Sequence, residues 1–159
     1  MQARLWTQSV VLVVGVAVVA AGTLLAQTAD PLVGTWKLNV AKSKYSGAAP
    51  KSQTVKIDGT DQARKLTVDI TPATGPDQHW EVMGGPGKDL PVTGNNPNAD
   101  AYVLKRINPN TLEAQYKKGG KATILQTAVV SADGKTLTVT ATGTTAAGQP
   151  VNNVAVFDK

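Results

Sequence analysis

Apolar and polar residues alternate in short runs along most of this chain, and glycine, proline or asparagine closes nearly every run. Val55 and Ile57 alternate with Thr54 and Lys56. Leu66, Val68 and Ile70 alternate with Thr67 and Asp69, and Trp80 and Val82 with His79 and Glu81. A period of two sends successive side chains to opposite faces of a strand. The pattern predicts strands over about 33–39, 54–57, 66–70, 79–82, 101–107, 111–117, 122–131, 136–142 and 153–157, with a weaker one over 88–93 that Pro91 interrupts. Asp58-Gly59, Asn108-Pro109-Asn110, Gly119-Gly120 and Asp133-Gly134 supply the turns. Such a succession of short strands predicts an all-β domain, an antiparallel meander of about 8–10 strands. Closing that sheet into a small barrel removes its edges. The interior is then either packed with side chains or open enough for one small ligand.

The first 26 residues follow a different pattern. Met1 to Ser9 is polar with Arg4 as its one charge, Val10 to Ala21 is continuously apolar, and no Asp or Glu precedes Asp30. This is the layout of a signal peptide, with a signal helix over residues 1–26 and cleavage expected between Ala26 and Gln27. The alternative is an uncleaved anchor, for which the apolar stretch sits at the lower length limit. The expected mature chain is a single domain, residues 27–159, located in the periplasm or outside the cell, with no stable membrane insertion after cleavage.

Composition narrows the chemistry. Cysteine is absent, which excludes disulfides, thiolate nucleophiles and cysteine-based metal sites. Removal of Arg4 takes the net charge from +5 to +4, and the lysines are dispersed rather than gathered into a stripe. A nucleic-acid partner is therefore not expected. His79 is the only histidine, so a histidine-based metal site is not expected either. Gly84 to Lys88 fails the phosphate-loop pattern, and Asn96, Asn98 and Asp100 fail the calcium-loop pattern at Ala101 and Ile107. No cofactor is expected, and no catalytic constellation is visible.

The segment Pro31-Leu32-Val33-Gly34-Thr35-Trp36-Lys37-Leu38-Asn39 resembles the opening of a lipocalin-like barrel, where a Gly-x-Trp begins the first strand. That segment, Lys42-Ser43-Lys44-Tyr45, Pro91-Val92-Thr93-Gly94, Lys105-Arg106-Ile107 and Asp133 to Val139 are similar to small exported bacterial proteins of uncharacterised function. The resemblance implies a calycin-type barrel in which Gly34 and Trp36 are structural and Trp36 plugs one end. It also implies a pocket for a small molecule.

One strand carries a charge problem. Along 101–107, Val103, Lys105 and Ile107 share one face, while Tyr102, Leu104 and Arg106 share the other. Alternation sends either Lys105 or Arg106 inward, and a buried cation needs a partner. Arg106 could hold a ligand carboxylate with Tyr102 beside it. The simpler alternatives are an internal salt bridge or escape to solvent at the barrel mouth. The functional expectation is an exported protein that binds an apolar or amphipathic small molecule. The alternative is a cell-envelope interaction or structural protein with a filled barrel. The sequence points to no particular protein partner.

Overall fold

The computed structural model describes residues 29–159; the signal segment 1–26 and its cleavage point lie outside the described residues. Ten antiparallel strands close into one barrel. They are β1 (Gly34–Leu38), β2 (Ser52–Gly59), β3 (Arg64–Thr71), β4 (Gln78–Gly84) and β5 (Asp89–Gly94). The second half supplies β6 (Ala101–Asn108), β7 (Thr111–Lys118), β8 (Lys121–Val130), β9 (Thr136–Thr144) and β10 (Pro150–Asp158). Each strand pairs with its sequence neighbour, and β1 pairs with β10 to close the ring. A short 3-10 turn, Val40–Lys42, follows β1, and Lys44 bridges to Val154. Among the described residues no helix is long and apolar enough to cross a membrane.

The alternation decides which side chains fill the interior. Val55 and Ile57 of β2 pair with Val68 and Leu66 of β3, which in turn pair with Trp80 and Val82 of β4. All but Leu66 of these are buried. β5 forms despite Pro91, because its pairing is sparse. Val82 pairs with Val92, Leu90 with Tyr102, and the missing amide of Pro91 costs no long ladder. Gly94 lies opposite Trp80, with φ at +96°, and an added Cβ would stand 2.2 Å from the His79 carbonyl oxygen. Glycine is therefore required where β4 and β5 come together behind Trp80.

The turns alternate between two ends. One end holds the chain entry at Asp30–Val33, the β2–β3 and β6–β7 turns and the C-terminus. Gly34 enters β1 there at φ +144°, a conformation that favours glycine. Trp36 is fully buried at this end, its Nε1 donating to the Leu32 carbonyl at 2.9 Å. Lys159 lies over its ring, 4.8 Å from the centroid. Leu32 is fully buried beside it, so entry segment and tryptophan form a floor. The opposite end, formed by the β5–β6 and β9–β10 connections among others, is the mouth.

Candidate functional site

Between floor and mouth lies a cavity of about 290 Å³. Its walls are built from the inward positions of most strands. Small side chains make the room: Ala114 on β7, Ala128 on β8, Ala141 on β9 and Ala155 on β10 all border it. Ala114, Ala128, Leu66 and Val139 point inward yet stay partly accessible, because the surface they expose looks into this space. Leu32 and Phe157 bound the cavity towards the floor.

One wall is aromatic. Tyr102 and Tyr116, paired across β6 and β7, have ring centroids 4.1 Å apart, and Trp80 lies 5.4 Å from Tyr102 and 6.3 Å from Tyr116. Burial pushes the Tyr102 phenol well above its ordinary range, with the neighbouring Tyr116 adding to the effect. Burial also raises Tyr116 and, on the far side, Tyr45. All three are uncharged at neutral pH. The Tyr45 and Tyr102 hydroxyls are buried with no hydrogen-bond partner among the described residues. Towards the mouth the lining turns to amides, with Gln53, Gln78, Asn96 and Asn153. Asn98 ties the mouth loops together. Its carbonyl accepts from the Thr123 hydroxyl at 3.0 Å, and its side chain accepts from the Ala146 amide at 3.2 Å. Gln126 sits beside the Tyr116 hydroxyl.

The three residues singled out on β6 separate in space. Tyr102 is fully buried and lines the cavity. Arg106 is on the inward face, as alternation requires, but its guanidinium is held by internal carboxylates. Its Nη2 donates to Asp30 Oδ1 at 2.9 Å and to the Pro109 carbonyl at 2.7 Å, and its Nη1 is 3.3 Å from Asp61 Oδ1. A β-bulge between Arg106 and Asn108 adjoins the turn that supplies this carbonyl. Arg106 does not border the cavity; Asp30 takes the place expected of a ligand carboxylate. Lys105 is on the outer face, 73% exposed and 3.8 Å from Glu113, which removes it from any interior site.

The same cluster contains a cation that sequence reasoning missed. Arg64 opens β3, its side chain only 3% exposed, and donates to both Asp30 and Asp61. The signal was present, since Arg64 shares its strand face with Leu66, Val68 and Ile70. Burial alone would raise the Asp30 carboxyl. Hydrogen bonds from Arg106, Arg64 and the Leu32 amide outweigh it and hold the group below the ordinary carboxylate range. The cluster thus fastens the entry segment beneath the floor and is structural.

Outside the barrel, His79 is exposed, with Nδ1 2.7 Å from Asp69 Oδ1. No cluster of three or more metal-ligating His, Cys, Asp or Glu side chains occurs among the described residues.

The chain matches no protein-family model and no curated protein. Its fold is similar to that in a crystal structure of a mutant of the fluorescent protein UnaG. The TM-score is 0.53 at 20% sequence identity, over 81% of this chain and 96% of the other. The likeness is one of fold, and the fold here is a closed antiparallel meander barrel.

Proposed function

We propose that this chain is an exported small-molecule binding protein that takes an apolar or amphipathic ligand into the barrel. The observation that carries the reading is the apolar cavity of about 290 Å³ at the centre of the fold. Its size falls just short of the usual range for ligand pockets, about 300–1,000 Å³, which points to a small ligand. A barrel serving only as a scaffold gains stability from filling that space, because an empty apolar cavity costs contacts and transfer energy. We assign the cavity no reaction. Export rests on the sequence of residues 1–26. N-terminal sequencing of the mature protein should begin within a few residues of Gln27, and a product still starting at Met1 in the membrane would refute it.

Binding itself is tested with 1-aminoanthracene, an uncharged fluorophore of suitable size. It should bind saturably, one molecule per barrel, and quench Trp80, which borders the cavity. Ala128→Phe places a ring in the same space and should weaken the dye at least about tenfold, or 1.4 kcal/mol. Dye uptake that is unsaturable, or unaffected by Ala128→Phe in a folded protein, would refute the reading.

A further inference from the structure

The cavity lining carries no charged side chain: none of the residues bordering it is Asp, Glu, Lys, Arg or His. Its polar groups are the amides of asparagine and glutamine, one threonine and three phenols. The two cations that the strand pattern turns inward, Arg64 and Arg106, are not free to compensate a ligand charge. Both bond Asp30 and Asp61 beneath the floor, where Leu32 is fully buried. Every inward charge is thus neutralised within the protein before a ligand arrives.

From this lining we infer that the cavity selects small uncharged molecules with one amide-compatible polar group, and excludes their carboxylate counterparts. The inference rests on the binding reading and adds its ligand class. A carboxylate taken into this space would lose its hydration and find no cation, so it would bind only after taking up a proton. An amide or hydroxyl needs only hydrogen bonds, which the glutamine and asparagine side chains both donate and accept. Gln126 is the candidate partner, set between Ile124 and Ala128 on β8 beside the Tyr116 hydroxyl.

Decanamide and decanoate have the same number of non-hydrogen atoms and differ in charge, so they isolate the inference. Each is titrated against 1-aminoanthracene bound to the full mature protein. At neutral pH decanamide should displace the dye about a hundredfold more effectively, the equivalent of a two-unit rise in the bound acid's pKa. On acidification decanoic acid should gain about tenfold per pH unit until the neutral acid predominates. Gln126→Leu should weaken decanamide about three- to tenfold more than it weakens 1-aminoanthracene, each titrated directly into the variant. A decanamide advantage under about tenfold, or failure of both to displace a bound dye, overturns the charge rule while the binding reading stands. Decanamide weakened no more than the dye by Gln126→Leu removes Gln126 from the inference. A dye that never binds overturns the binding reading itself.

Discussion

Asp30→Ala should destabilise the folded barrel by about 3 kcal/mol, the lower end of the range for breaking a buried ion pair. Asp30 accepts from Arg64 and Arg106 and from the Leu32 amide at 3.0 Å. Without it, Arg64 stays buried with Asp61 alone, and its Nη1, already unpartnered, has no second carboxylate nearby to share. Asp61 is more exposed and continues to serve both arginines, which keeps the loss from being larger. The pH dependence follows from the lowered Asp30 pKa. A carboxyl whose folded pKa lies below its unfolded value adds stability that is complete above the unfolded pKa. That stability is lost as pH falls through the folded one. The unmodified protein should therefore lose part of its stability on acidification below the ordinary carboxylate range, and Asp30→Ala should lack that part. Urea titrations of both proteins at neutral and acidic pH give the comparison. A loss below about 1 kcal/mol at neutral pH would show that the cluster does not hold the floor.

Trp36→Ala should cost about 3–5 kcal/mol, as for other buried aromatic truncations. The indole is fully buried, and its removal also leaves the Leu32 carbonyl without its donor. Trp36→Phe should be milder, since it keeps most of the apolar volume and loses chiefly that hydrogen bond. Denaturant titration reads both, and a Trp36→Ala loss below about 1 kcal/mol would contradict the plug. Asp30 and Trp36 both hold Leu32, one at its amide and one at its carbonyl, so the two truncations should not add.

The strands were legible because period-two alternation is a local property, and nothing in the closed fold overrides it. Leu66, Val68 and Ile70 announce an inward face wherever the strand pairs. The Pro91 strand was the weakest expectation and proved real, because a partly paired strand tolerates a missing donor. The turn at Asp133-Gly134 was legible as a turn but is wider than a two-residue hairpin: the Ser131 amide bonds the Thr136 carbonyl. By contrast, Gly119-Gly120 is a two-residue turn with both residues at positive φ.

The site was legible only in part. Alternation put Tyr102 and Arg106 on one face and Lys105 on the other, and left open which of the two turned inward. It could not supply the partner of Arg106, since Asp30 lies 76 residues earlier and meets it only when the barrel closes. Arg64 carried the same local signal as Arg106. The cavity depends on how small side chains from separate strands register around a common space. Ala114 pairs with Gln126, and Ala128 with Val139, so volume is left where no single segment reveals it. Local sequence sets which way a side chain points; ring closure sets what it meets.

The most direct test is a crystal structure of the mature protein grown with decanamide. The central claim predicts one ordered ligand inside the barrel. Its chain should lie against Ala128 and the Trp80–Tyr102–Tyr116 wall, its amide within hydrogen-bond distance of Gln126 or the mouth amides, and the Asp30–Arg64–Arg106 cluster should be intact. An interior that stays empty at saturating decanamide, with the ligand on the outer surface or nowhere, would contradict it.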